Sequence, residues 1–150
     1  MGLQSFVSVA PESHFPLENL PYGVFSTTAN PVLRVGVALG DMVVDLQALA
    51  TANLLDDHVP ALQGRARQVF GQPTLNEFMA LGRPVWQATR AFLQRLLAQH
   101  EPDSVDYALM QGNPTLQAQV LVPQADCRMH LPAKIGDYTD FYASREHATN

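Results

Sequence analysis

The densest group of reactive side chains lies in residues 140–150. Asp140 offers a carboxylate, Tyr142 a phenol and His147 an imidazole within eight positions. A carboxylate binds hard divalent cations, and a neutral imidazole can act as a general base. Because calcium takes about 6–8 oxygen ligands and few acidic residues lie near Asp140, this stretch cannot fill a metal shell alone. It therefore predicts part of a metal-assisted site whose other groups come from elsewhere.

Composition excludes several classes of partner. The 150 residues carry nine Lys and Arg against 14 Asp and Glu, for a net charge of −5, and Lys134 is the only lysine. This balance argues against nucleic acid, because phosphate binding needs a basic surface, and it gives no reason to expect an anionic membrane. No apolar run approaches the roughly 20 residues of a membrane span.

Cysteine usage and the first residues indicate the compartment. Cys127 is the only cysteine, so no intrachain disulfide can form and metal–thiolate clusters are excluded. Residues 1–5 lack the basic and apolar regions of a signal peptide. These features favour a reduced, cytoplasmic setting.

Other familiar chemistries have no support. The five histidines show no helical pairing and no spacing to cysteine that would make a zinc site, and they stand at positions 14, 58, 100, 130 and 147. His14, His58 and His100 are interpreted as surface residues, and His130 as a packed or hydrogen-bonded structural residue. Neither a Gly-x-Ser-x-Gly elbow nor a glycine-rich phosphate loop is present.

The elements that must position residues 140–150 begin with β structure. Prolines in the first 31 residues favour an extended, turn-rich start, followed by a strand at residues 22–25. Residues 34–39 alternate with Val35, Val37 and Leu39 on one face, and residues 42–46 return after a Gly40-Asp41 turn. A glycine that tolerates positive φ is what a tight hairpin needs.

The middle of the chain is predicted to be helical. A short helix is predicted at 45–50, and Thr74 with Glu77 forms a capping-box pattern ahead of a helix that buries Leu75, Phe78 and Met79 and stops at Gly82. Pro84 suits the first turn of a second helix that runs to about Gln99. Its apolar stripe predicts packing against a core and contains Val85, Trp86, Thr89, Phe92, Leu93, Leu96 and Leu97.

The remaining pattern completes an α+β fold. Residues 114–123 are expected to be extended, with a strand at 120–122. The sum predicts a small antiparallel, barrel-like sheet with its helices grouped in one insertion, and an exit from the domain near residues 123–132.

A family resemblance gives residues 135–150 a specific meaning. Residues 135–150 resemble the start of the catalytic domain in the fumarylacetoacetase (fumarylacetoacetate hydrolase) family. Residues 19–26, the strand at 34–38 with Asp41 and Asp45, residues 72–76 and the helix around Trp86 also resemble that family. The similarity spans nearly the whole sequence and is weakest at 47–70.

The resemblance implies a fold and a domain division. It implies an N-terminal SH3-like small β-barrel domain at 1–130 with a helical insertion, then a linker and the opening segment of a β-roll catalytic domain at 131–150. It also implies a homodimer.

The resemblance further implies a reaction, the metal-assisted hydrolysis of 4-fumarylacetoacetate to fumarate and acetoacetate, the last step of tyrosine and phenylalanine breakdown. By matching positions, Asp140 is expected to be a ligand of Ca²⁺ (or Mg²⁺), His147 the general base and Tyr142 a substrate contact. No role passes to Asp137, Tyr138 or Arg145.

Alternatives remain at this point. The chain could instead be a non-catalytic domain that supports or helps dimerise a catalytic domain, or part of a related diketone or acylpyruvate hydrolase. The resemblance places the other metal carboxylates after Asn150. The 150 residues alone are therefore expected to be inactive, with the part after about residue 131 poorly ordered or docked non-natively.

Overall fold

A computed structural model describes residues 2–141 and 143–150. The five strands are β1 (Tyr22–Thr27), β2 (Arg34–Leu39), β3 (Met42–Asp45), β4 (Leu121–Pro123) and β5 (Cys127–His130). The helices are α1 (Leu46–Thr51), α2 (Leu54–His58), α3 (Ala66–Phe70), α4 (Asn76–Ala80), α5 (Arg83–Leu97), α6 (Val105–Leu109), α7 (Pro114–Val120) and α8 (Arg145–Thr149). None of the helices in the described ranges is long and apolar enough to cross a membrane.

The strands form one antiparallel sheet in the order β4-β3-β2-β1-β5. The predicted hairpin is confirmed as β2 and β3, with Gly40 at φ +54° in the turn between them. Helices α1 to α7 lie between β3 and β4, as the single insertion predicted. The α+β class is thus confirmed.

The sheet is open, with β4 and β5 as its two edges. Five strands laid flat would separate the edge strands by about 19 Å. The connection from Pro123 to Cys127 is one 3₁₀ turn that spans at most about 14 Å. The sheet must therefore curve to bring its edges together. Its closure into an SH3-like barrel stays a prediction.

Strand alternation gives the sheet two different faces. The helical face carries Val24, Val35, Val37 and Val44, which join the main core with the helices. The opposite face carries Phe25, Arg34, Gly36, Val43 and Asp45. Phe25, Arg34, Val43 and Asp45 are also buried, so neither face of the central strands is open to water.

An ion pair lies buried on this opposite face. Arg34 Nε donates to Asp45 Oδ2 at 2.8 Å, and the two side chains are 6% and 8% exposed. Asp45 Oδ1 accepts from the Ala48 amide at 3.0 Å and so caps α1. The Arg34 guanidinium also lies 4.6 Å from the Phe25 ring centroid. Burial raises the pKa of Asp45, although the Ala48 amide and Arg34 oppose that rise.

Two sequence expectations about helix starts were wrong. Residues 114–120 form α7 rather than an extended segment, because Pro114 occupies the first turn and Asn113 Oδ1 caps the Leu116 amide at 3.1 Å. No side chain caps α4, which begins at Asn76, so the capping box of Thr74 and Glu77 does not form.

The buried faces of α4 and α5 each differ from the sequence prediction at one residue. Leu75 and Phe78 are buried as expected, but Met79 is 45% exposed. On α5 the stripe is buried except at Trp86, which is 37% exposed.

Replacing Arg34 with Met should lower the free energy of unfolding by about 3 kcal/mol at neutral pH, because it leaves the Asp45 carboxylate buried without its cation. The pKa of Asp45 then rises further above its unfolded value, so ionisation disfavours the fold. The loss should grow as pH rises through and above 3.8 and shrink below it. Urea unfolding at several pH values measures it.

Two matched variants isolate the charge. Arg34→Met with Asp45→Asn should recover part of the loss at neutral pH, since the asparagine keeps the cap without the charge. Arg95→Met removes a pair that is 49% and 28% exposed, with Asp106, and should cost under about 1 kcal/mol. Equal losses for Arg34→Met and Arg95→Met would contradict the assignment.

Candidate functional site

The candidate site begins where β5 ends, and the residues after it are named here the exit segment (133–150). β5 pairs with β1, and Ser26 Oγ lies 2.7 Å from His130 Nε2. His130 is therefore a hydrogen-bonded structural residue, as predicted. The pair fixes the last strand against the sheet immediately before the exit segment starts.

Helix α4 holds the start of the exit segment through Asn76. Asn76 Nδ2 donates to the Lys134 carbonyl at 3.0 Å, and the Lys134 amide donates to Asn76 Oδ1 at 2.8 Å. The Leu75 amide also donates to the Pro132 carbonyl at 2.8 Å. One side chain thus satisfies both backbone groups of Lys134. No local sequence pattern indicates this contact, because its two residues lie 58 positions apart.

Beyond this clamp the exit segment is exposed. Its described residues from 136 onward are all exposed, and α8 near its end contributes no buried residue. Asp140 lies in the extended part, and Tyr142 lies outside the described residues. His147 lies in the first turn of α8, where its amide donates to Ser144 Oγ at 3.1 Å. Ser144 is therefore the N-cap residue of α8.

The described residues do not assemble a metal site. No group of three or more His, Cys, Asp or Glu side chains gathers in ranges 2–141 and 143–150. The exposed carboxylate of Asp140 suits a hard cation as one ligand only, since calcium takes about 6–8 oxygens. The arrangement can offer a ligand and a base to a larger site.

Two other histidines, His58 and His100, contact residues of α5. His58 stacks on Phe92 with ring centroids 5.1 Å apart, so it is less simply a surface residue than predicted. His100 Nε2 lies 2.6 Å from the Arg95 carbonyl. Both pack on α5 and are far along the chain from His147.

Comparison with known proteins identifies the family of this chain. A family model described as fumarylacetoacetase N-terminal matches residues 18–132, which covers β1 to β5 and the helical insertion. The chain belongs to this family.

Individual relatives of this chain carry the name of one enzyme, fumarylacetoacetase. Fumarylacetoacetase of Caenorhabditis elegans is 50% identical over 148 residues, covering 99% of this chain and 33% of the relative. The Homo sapiens enzyme is 48% identical over 149 residues, covering 97% and 32%, and that of Dictyostelium discoideum is 44% identical over 148 residues, covering 99% and 32%. The chain spans about a third of the length of these relatives. Since 99% of the chain is aligned, the similarity continues past residue 132 through most of the exit segment.

Replacing Asn76 with Leu should release the start of the exit segment. The Lys134 amide loses its acceptor, so its hydrogen exchange, followed by NMR, should accelerate about tenfold. Asn76→Asp is the matched control, because it keeps an oxygen at the position that accepts from Lys134. Unchanged exchange at Lys134 in Asn76→Leu would show that the clamp does not hold the segment in solution.

Proposed function

We propose that this chain supplies Asp140, Tyr142 and His147 to the active site of a fumarylacetoacetase. The reaction is hydrolytic cleavage of the carbon–carbon bond of 4-fumarylacetoacetate, which gives fumarate and acetoacetate. The observation that carries the proposal is the identity of 43–50% to enzymes of that name across nearly the whole chain. The exposure of the exit segment from residue 136 onward supports it, since Asp140 and His147 both lie at the surface of the described part of the chain.

Each residue has a distinct role in this proposal. The Asp140 carboxylate binds Ca²⁺ or Mg²⁺ through an oxygen, and Tyr142 contacts the substrate. His147 takes a proton from water as the water oxygen adds to the carbonyl carbon, and the carbon–carbon bond then breaks. The departing carbon leaves as an enolate and is protonated to acetoacetate. A bound divalent cation would polarise the diketone and stabilise that enolate charge.

The remaining features follow from the same assignment. Residues 1–130 form an SH3-like barrel domain, and residues 131–150 link it to a β-roll catalytic domain and begin that domain. The enzyme acts as a cytoplasmic homodimer in tyrosine and phenylalanine breakdown. The curved five-stranded sheet supports the barrel, and the lone cysteine supports the reduced compartment.

Activity should require more than these 150 residues. We expect the 150 residues alone to cleave no fumarylacetoacetate in an absorbance assay with added calcium. The reason is that Asp140 does not gather with two or more other His, Cys, Asp or Glu side chains among the described residues. Joining the 150 residues to the remaining two thirds of the Caenorhabditis elegans enzyme should give an active protein. Activity in the 150 residues alone would refute the site. Inactivity of the joined protein would favour the related diketone hydrolase.

Variants of the joined protein separate the two roles. His147→Gln should lower kcat about 10²–10⁴-fold and leave calcium affinity unchanged, because it removes a base and not a ligand. Asp140→Asn should weaken calcium binding, measured by titration calorimetry, and restore some activity at high calcium. Asp103→Asn, at an exposed turn residue, is the matched control. A calcium-affinity loss in His147→Gln would contradict these roles.

A further inference from the structure

Helix α4 is fixed to the core of the fold through Phe78. Phe78 is 4% exposed, and its ring centroid lies 5.1 Å from those of both Tyr22 in β1 and Phe70 in α3. The Phe78 carbonyl also accepts a hydrogen bond from Trp86 Nε1 in α5 at 2.8 Å. Three separate elements therefore hold this short helix, which makes it a rigid support for a segment that binds to it.

Two consecutive residues at the start of α4 bind alternate residues of the chain that follows β5. The Leu75 amide donates to the Pro132 carbonyl, and the Asn76 side chain binds both backbone groups of Lys134. Leu75 is 8% exposed and belongs to the core. The chain is therefore held at residues 132 and 134 before it leaves the fold.

Lys134 is the last residue before Asp140 that is tied to the fold. Within the described part of the chain, none of residues 135–141 makes a hydrogen bond or an ion pair, and those from 136 onward are exposed. Asp140 follows Lys134 by six positions, so an extended chain keeps it within about 22 Å of Lys134. The region that the Asp140 carboxylate can reach thus depends on how Lys134 is held.

Loss of the Asn76 contact would move this last fixed point back to Pro132. The free chain before Asp140 would then grow from six to eight residues, which alone lowers the effective concentration of the carboxylate only about 1.5-fold. A larger effect comes from the freedom that residues 133 and 134 gain. Ordering even one residue again when Asp140 binds a cation lowers the affinity about fivefold.

We propose that Asn76 is a positioning residue for the proposed active site, where it holds Lys134 so that the exit segment presents the Asp140 carboxylate to a divalent cation. This inference rests on the proposed function. Asn76 contacts neither the cation nor the substrate in this role, and it acts only through the backbone of Lys134. Because the chain is already ordered up to Lys134, less of it has to be ordered when the cation binds.

The affinity for calcium tests this role in the 150 residues joined to the rest of the Caenorhabditis elegans enzyme. Asn76→Leu should weaken calcium binding about fivefold in titration calorimetry, because residues 133 and 134 are no longer ordered in advance. The value of kcat at saturating calcium should change less than the affinity, since bound calcium restores the position of Asp140. A residue that only stabilises the fold would not separate calcium affinity from kcat in this way.

Two variants that preserve charge are the matched controls. Asn113→Leu removes the asparagine oxygen that caps α7 at 3.1 Å, so it should lower the unfolding temperature and leave calcium affinity unchanged. Lys134→Arg keeps both backbone bonds and should bind calcium as the parent chain does. Asn76→Ala, which adds no large apolar side chain, should reproduce Asn76→Leu. Equal losses of calcium affinity in Asn76→Leu and Asn113→Leu would overturn the proposal.

The 150-residue chain tests the holding of Lys134 without a metal. The NMR order parameter of the Lys134 amide should be about 0.85 and should fall below about 0.6 in Asn76→Leu, because a rigid backbone group becomes flexible. Asn113→Leu should leave the order parameter of the Lys134 amide unchanged. An equally rigid Lys134 amide in Asn76→Leu would refute the positioning role.

The outcomes in the joined protein distinguish this proposal from the proposed function. Cleavage of fumarylacetoacetate, with calcium affinity unchanged in Asn76→Leu, would overturn the positioning role and leave the reaction in place. Weaker calcium binding in Asn76→Leu, in a joined protein that cleaves no fumarylacetoacetate, would support the positioning role and count against the reaction. A joined protein that binds no calcium would overturn both.

Discussion

The buried ion pair of Arg34 and Asp45 joins the sheet to everything that follows it. The two oxygens of Asp45 divide between the Arg34 guanidinium and the first turn of α1, so one carboxylate ends a strand and starts a helix. Arg34 Nη1 also donates to the carbonyls of Asn30 and Val32 at 3.1 Å, which fixes the connection from β1. A buried pair is costly to desolvate and useful only when its hydrogen bonds are satisfied, as these are. Its worth here is geometric because it sets where the helical insertion leaves the sheet.

Curvature of the sheet affects where the exit segment leaves the fold. The helical face meets the insertion, while the opposite face buries Phe25, Arg34 and Val43. Gly36 permits their close packing, since a Cβ there would lie 2.7 Å from Val43 Cγ1 and 2.9 Å from Phe25 Cε1. The short link from β4 then delivers β5 to the far edge beside β1. The exit segment therefore leaves from a strand that both the sheet and α4 hold in place.

The sequence allowed prediction of what depends on near neighbours. Alternating Val35, Val37 and Leu39 with Gly40 defined the hairpin, and the α5 stripe followed helical periodicity. The prediction at Pro114 was wrong because a proline can either follow the end of a helix or occupy the first turn of one. Here Asn113 caps α7, so Pro114 lies in the first turn of a helix.

Distant contacts could not be predicted in this way. The expected capping box at Thr74 does not form, and the start of α4 instead carries a tertiary contact of Asn76 with Lys134, which no local pattern encodes. For the site itself, resemblance alone singled out Asp140 and His147, because no group of three or more His, Cys, Asp or Glu side chains gathers among the described residues.

The pairing of β5 with β1 also sets an order of events during folding. β1, β2 and β3 are neighbours along the chain and can associate early, whereas Ser26 and His130 are 104 positions apart. Closing so long a loop has a large entropic cost until the intervening helices have folded and shortened it. β5 should therefore add last, and residues 133–150 acquire a fixed origin only then. A chain with a misfolded insertion would not pair β5 with β1, so residues 133–150 would leave the fold from a different point.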